Sequence, residues 1–134
     1  VRIFLDANIL FSAAYDPRSS HYVLIQTGQE AGWVFITCDW AWLEAERNLF
    51  LKRPSALRNL RILSRWVETI PAVTEGNCSL HLPNKDKPIF LSAVQARATH
   101  LLTGDFKDFG THMNKPHKTR GILIQSPAQF LNSL

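Results

Sequence analysis

The sequence predicts one three-layer α/β/α domain, with helices on both faces of a central, mostly parallel sheet. Three observations lead there. The strand-like runs are short and apolar throughout rather than alternating apolar with polar, which is the pattern of strands buried on both faces. Segments with helical spacing separate them, as crossovers between parallel strands require. No repeat, low-complexity tract or linker divides the 134 residues, the length of one ordinary domain with a single core.

"VRIFLD" (1–6) is an apolar strand that ends in a carboxylate. "ANILFSAAY" (7–15) changes to helical spacing, with Ile9, Leu10 and Ala13 on one side, and "DPRSS" (16–20) breaks it. "HYVLIQTGQEAG" (21–32) predicts a helix closed by Gly32 as its C-terminal cap. "WVFIT" (33–37) is a buried strand by its β-branched and aromatic content. In "DWAWLEAERNLFLKR" (39–53), Trp42, Leu43, Leu49 and Phe50 recur at helical intervals, and Pro54 stops the run.

"SALRNLRILSRWVETI" (55–70) reads as one helix, with Leu57, Leu60, Leu63, Val67 and Ile70 on one face and Arg58, Arg61 and Arg65 on the other. After a loop at 74–84, "DKPIFLSAVQARA" (86–98) opens with Asp and an early Pro, a helix-start signature. "HLLT" (100–103) and "GILIQ" (121–125) are strands, and "SPAQFLNSL" (126–134) is a short closing helix.

Composition narrows the function classes. A hydrophobic fraction of 46% with 19% charged residues excludes a disordered chain and suits a soluble globular one. No apolar run approaches the ~20 residues that cross a bilayer, so no membrane partner is expected. The first strand begins at once, and no signal or transit peptide is expected. Cys38 and Cys78 each stand alone with no C-x-x-C pair. That argues against a cysteine zinc site or a disulfide scaffold, makes a reducing cytoplasm the expected location, and leaves both thiols as small packing residues. The net charge of +4 and pI near 9.4 suit an anionic partner such as nucleic acid, although many basic proteins bind nothing anionic.

The acids are more informative. In open parallel sheets the working crevice lies outside the carboxyl ends of the strands. Asp6 ends the first strand, and Asp105 and Asp108 follow "HLLT" within "LLTGDFKDFG" (101–110). If the two strands are neighbours, these carboxylates share one edge. Glu44 and Asp86 lie near the starts of helices, which begin at that same edge, so four or five of the 11 acidic residues converge.

Each acid also has a plainer role. Asp86 suits a helix cap worth ~1 kcal/mol, Asp105 and Asp108 suit a turn, and Glu44 and Glu46 suit a solvated helix face. Asp6, placed where the core begins, is harder to explain that way. Crowded carboxylates raise one another's pKa, a cost that a cation removes. Hard divalent cations such as Mg²⁺ take oxygen ligands, and the five histidines are scattered, with none paired at i, i+4 spacing, which argues against zinc. A Mg²⁺ site beside a basic surface points to phosphodiester hydrolysis.

The ordered set of motifs resembles the PIN-domain family, metal-dependent nucleases that include the toxins of many bacterial toxin–antitoxin pairs. The resemblance runs through "FLDANILFSA" (4–13), "WLEAERNL" (42–49), "DKPIFLSAVQARATHLLTGDFKDF" (86–109) and "GILIQSPAQFL" (121–131). Asp6 matches the family's first-strand aspartate, Asn8 the polar position two residues on, and Glu44 the helix glutamate, with Glu46 a second register. Asp86 matches the acid that opens the next helix. Thr103 and Asp105 match the "T-G-D" turn, and Asp108 the frequent acid after it.

The resemblance implies cleavage of single-stranded RNA with Mg²⁺ or Mn²⁺, an antitoxin protein partner, and frequent homodimerisation. It also implies Asp6, Asp86 and Asp105 as principal metal ligands, Glu44 as a ligand or water-orienting group, and Asp108 as support for a second ion. Arg47, Lys52, Arg58, Arg61 and Arg65, with Lys115, Lys118 and Arg120 of "THMNKPHKTRG" (111–121), are the candidate phosphate-contacting surface. Solvated helix faces and loop are the plainer reading of each. Trp40 and Trp42 could stack bases, although such a pair more often serves core or interface.

Two other readings stay open. A phosphatase of the haloacid-dehalogenase kind also ends its first strand in Asp, but its chemistry wants a second acid where this chain has Asn8. A non-catalytic module of the same fold, binding RNA or protein, would be expected to lack one of the acids.

Overall fold

The computed structural model describes residues 1–134. The chain runs β1 (Arg2–Leu5), α1 (Ala7–Tyr15), α2 (Ser20–Glu30), β2 (Val34–Cys38), α3 (Asp39–Lys52), α4 (Leu57–Leu63), β3 (Val67–Ile70), α5 (Lys87–Gln95), β4 (His100–Leu102), α6 (Phe106–Phe109), β5 (Leu123–Gln125) and α7 (Pro127–Asn132). The five strands form one all-parallel sheet in the order β3-β2-β1-β4-β5. Helices complete the three-layer α/β/α arrangement that the apolar strands predict. No helix is long and apolar enough to cross a membrane.

The strand order places the site. The chain builds outward from β1 through β2 to β3, then returns to lay β4 on the other flank of β1. The order therefore reverses between β1 and β4, and a crevice opens there beyond their carboxyl ends. Leu5 pairs with Leu102 in the ladder, and the Asp6 amide donates to the Leu102 carbonyl at 3.1 Å. The residues after Leu5 and after Leu102 emerge side by side.

β1 is the middle of the core: Ile3, Phe4 and Leu5 are fully buried. Gly28 lets α2 approach β2, since a Cβ there would stand 2.6 Å from the rings of Trp33 and Phe35. Gly32, just past α2, has φ +89, the left-handed conformation expected of the cap residue. At the far end, Ser126 and Gln129 form a reciprocal capping box that starts α7. Cys38 is buried in the core and Cys78 packs against it; both are free thiols.

Three sequence expectations change. Residues 55–70 are not one helix: α4 ends at Leu63, and Val67–Ile70 form the edge strand β3, paired with β2 from Phe35↔Val67 to Cys38↔Ile70. Val67 is buried but Glu68 and Thr69 are exposed. An edge strand with one wet face gives an interrupted apolar pattern that happens to extend the leucine spacing of α4.

The inward face of α3 is Ala41, Ala45 and Leu49, with Trp42 half-buried against the core. Leu43 and Phe50 point outward, 54% and 63% exposed. Small residues win the interior because α1 and α3 pack together, and α1 meets its neighbours with buried Ala13 and Ala14. Finally, Phe106–Phe109 is a short helix continued by a 3-10 turn at Gly110–His112. Four residues are too few to show a period in sequence.

Candidate functional site

Asp6 follows β1 directly and caps α1, its extended backbone (φ −71, ψ 161) turning the carboxylate back onto the Ala7 amide at 2.7 Å. The other carboxylate oxygen accepts from the Thr103 hydroxyl at 2.7 Å and from the Asn8 amide at 3.2 Å. The Asn8 side-chain oxygen in turn accepts from the Gly104 amide at 2.7 Å. Thr103 Oγ1 accepts from the Asp105 amide at 3.0 Å. Two short motifs from opposite ends of the chain, "DAN" and "TGD", are thus joined by three hydrogen bonds across the β1–β4 junction, the third from the Asn8 amide to Thr103 Oγ1 at 3.4 Å.

Asp105 caps α6, one oxygen accepting from the Asp108 amide at 3.0 Å. Asp86 precedes α5 but makes no side-chain capping bond, so the plainest account of that residue fails. The carboxylates of Asp86, Asp105 and Asp108 offer oxygens within 4.8 Å of one another. Asp86 is buried, and its Oδ2 has no hydrogen-bond partner. Asp6, Glu44, Asp86 and Asp105 together line a cleft of about 380 Å³.

The electrostatics show the strain of this arrangement. Burial pushes the Asp6 carboxyl up to about 6, against the lowering effect of its Thr103 and Ala7 hydrogen bonds, and the Glu44 and Asp105 charges add to the rise. Asp86 is pushed up to about 7, first by burial, then by sharing a proton with Asp108 and by the charge of Asp6. Asp108 is held below its usual range, chiefly by the hydrogen bond from Asp86. Lys85 stands against the cluster, Nζ 3.5 Å from Asp108 Oδ2, and the Asp86 charge raises its ammonium pKa.

A hard divalent cation fits these residues. The donors are all carboxylate oxygens, the kind such an ion takes, they lie within 4.8 Å of one another, and Asp86 keeps a buried oxygen without a partner. A cation would also offset the burial penalty and the carboxylate repulsion that together raise Asp6 and Asp86.

The remaining sequence candidates divide. Glu44 lines the acidic cleft, whereas Glu46 lines a separate groove with Trp42 and Arg61 on the α4 side. Lys52 lines the acidic cleft, its ammonium 5.4 Å from the Phe11 ring centroid. Arg47 lines an adjoining cleft. Arg58 and Arg65 are exposed on and just after α4.

Lys115, Lys118 and Arg120 do not line the acidic cleft. Lys115 donates to the Thr111 carbonyl at 3.0 Å, and Arg120 sits in the turn that feeds the amino end of β5, the opposite edge of the sheet. The structure also brings in Lys85, Asn48 and Phe11 as cleft residues. Two of these had a sequence signal, since Lys85 adjoins Asp86 and Asn48 lies one helical turn beyond Glu44.

No protein-family model matches the chain, and no curated protein matches it in sequence. Among the solved structures that share its fold are two toxin–antitoxin structures. One is VapBC2 from Rickettsia felis bound to a DNA fragment from its promoter, with TM-score 0.65 and 15% identity over 94% of this chain and 98% of that one. The other is VapBC-1 from nontypeable Haemophilus influenzae, with TM-score 0.58 and 14% identity over the same shares. The fold is that of these toxin–antitoxin structures, the PIN-like arrangement the sequence motifs predicted.

Proposed function

From that PIN-like fold as premise, we propose that the chain is a Mg²⁺- or Mn²⁺-dependent endoribonuclease of single-stranded RNA, and the toxin of a toxin–antitoxin pair. The observation that carries the reading is the convergence of Asp6, Glu44, Asp86 and Asp105 on one cleft at the sheet's switch point, with Asp108 completing a carboxylate cluster with Asp86 and Asp105. The antitoxin partner is proposed because the two structures of the same fold described above are of VapBC2 and VapBC-1, toxin–antitoxin pairs. Homodimerisation and a cytoplasmic setting belong to the same proposal.

Asp86, Asp105 and Asp108 would hold the ion, with Asp6 beside them. When bound, the metal would supply a lowered pKa for the attacking water and charge stabilisation on the phosphate. The chain's own residues do the rest. Thr103 and Asn8 lock the Asp6 rotamer, so its carboxylate is preorganised. Glu44, unbonded on the cleft wall, accepts a hydrogen bond from the attacking water and orients it. Lys52 and Lys85 offset phosphate charge at the cleft rim.

A haloacid-dehalogenase mechanism gains no support, because Asn8 is spent bridging Asp6 and Gly104 and has no acidic proton to give a leaving group. The test is to incubate the protein with single-stranded RNA and Mn²⁺ or Mg²⁺ beside Asp6→Asn. Cleavage by the wild type alone supports the proposal. RNA binding without cleavage in either ion would favour the non-catalytic module.

A further inference from the structure

The acidic cleft does not end at Glu44 and Lys85. Both residues also line a second cleft of about 430 Å³, whose other walls are Trp40, Leu43 and Arg47 of α3. Trp40 is 43% exposed and Leu43 54% exposed, an unusual state for an indole and an isobutyl group on a helix that has a core to bury them in. The helix instead gives its inward positions to Ala41 and Ala45. The two tryptophans that the sequence left together are therefore separated: Trp42 packs against the core, and Trp40 faces the groove.

We propose that this second cleft is a nucleobase subsite, in which a base of the single-stranded RNA lies against Trp40 while Arg47 and Lys85 contact the phosphate that links it to the acidic cleft. The proposal rests on the ribonuclease reading and extends it to a residue that positions substrate. Continuity favours RNA over a protein partner here, because a strand whose phosphate reaches Glu44 and Lys85 enters the adjoining cleft at its next nucleotide. Charge agrees: Arg47 and Lys85 are exposed cations flanking an apolar surface, the pairing by which single strands are bound, basic groups to the backbone and an aromatic face to the base. Glu44 is the one acid in the groove, and it stands on the side shared with the carboxylate cluster.

The test compares equilibrium binding of two oligomers that resist hydrolysis, a phosphorothioate RNA octamer and an abasic ribose-phosphate octamer of the same charge. Fluorescence anisotropy with wild type, Trp40→Ala and Trp40→Phe reads both. The subsite predicts that wild type prefers the RNA, that Trp40→Ala weakens RNA binding roughly 5- to 150-fold while abasic binding holds, and that Trp40→Phe restores most of the preference. An RNA-to-abasic ratio that Trp40→Ala leaves unchanged overturns the subsite. So does an unchanged ratio accompanied by a new oligomeric mass on size-exclusion chromatography, which assigns the face to a protein interface. Failure of the ribonuclease reading shows separately, as absence of cleavage of ordinary RNA by the wild type in Mn²⁺.

Discussion

Thr103 and Asp6 stand 97 residues apart in the chain, yet the threonine hydroxyl donates to the aspartate carboxylate at 2.7 Å in the buried floor of the cleft. That bond is the principal influence lowering a carboxyl that burial raises. It also leaves Thr103 Oγ1 to accept from the Asp105 amide. One hydroxyl therefore holds the Asp6 carboxylate and the backbone of Asp105 together.

Thr103→Val keeps the shape of the side chain and removes the hydroxyl. The Asp6 carboxylate and the Asp105 amide each lose a partner, and a buried group left unpaired costs about 1–3 kcal/mol. Chemical denaturation should show a loss of that order. Cleavage should fall by more than binding, because Asp6 is no longer held in one rotamer. A variant with wild-type stability and rate would show the bond to be incidental.

The metal-free protein should lose stability as pH rises. In the folded chain Asp6 titrates near 6, against 3.8 for the free side chain, so the native state holds that proton more tightly than the unfolded state. Its contribution is present in full below about pH 4 and is lost as pH rises through about 6, amounting to about 3 kcal/mol for this group. Asp86, near 7 in the fold, extends the decline toward neutrality. Thermal melts in chelator across pH 4 to 8 read the slope, and a flat or rising profile from these groups would contradict it.

Addition of Mn²⁺ at pH 8 should offset part of that loss. A cation at 100 times its Kd adds about 2.7 kcal/mol, visible as a melting temperature several degrees higher. Asp86→Asn removes the buried carboxylate whose Oδ2 has no partner. It should raise the melting temperature of the metal-free protein at pH 8 and abolish the Mn²⁺ response. A variant that responds to Mn²⁺ as strongly as wild type would remove Asp86 from the ligand set.

Glu44→Gln and Glu46→Gln separate two registers two residues apart on α3. Only Glu44 lines the acidic cleft, so Glu44→Gln should lower kcat by 10-fold or more, on the order of 1.4 kcal/mol, and Glu46→Gln should leave it within twofold, roughly 0.4 kcal/mol. Steady-state kinetics on one RNA oligonucleotide decides between them.

Gly28→Ala tests the packing that holds the sheet beneath the site. The new methyl would meet the Trp33 and Phe35 rings at 2.6 Å, and overpacking of that kind costs about 1–3 kcal/mol. The denaturation midpoint should fall with the slope unchanged.

Much of the candidate site was legible before any folding was known. Asp6, Asn8, Thr103 and Asp105 sit in short motifs at strand ends, and strand ends are visible as the point where a continuous apolar run meets a carboxylate. The exposed cations were not legible, because a lysine in a loop carries no sign of which sheet edge its loop serves. Lys115, Lys118 and Arg120 could be placed only once β5 was paired with β4. The edge strand β3 hid for a related reason, since a half-wet strand after a leucine-rich helix mimics the helix's own period.

By itself the sequence determined local character: which segments are apolar enough to be buried strands, where helices start, and which carboxylates follow strands. Only the tertiary structure decided that β4 returns beside β1, that α3 turns Ala41 and Ala45 inward and Trp40 outward, and that Asp86 has no cap to make. Hydrophobic periodicity is a property of neighbours along the chain, whereas a charge cluster is a property of neighbours in space. Their convergence depends on strand order, which no short stretch of sequence encodes.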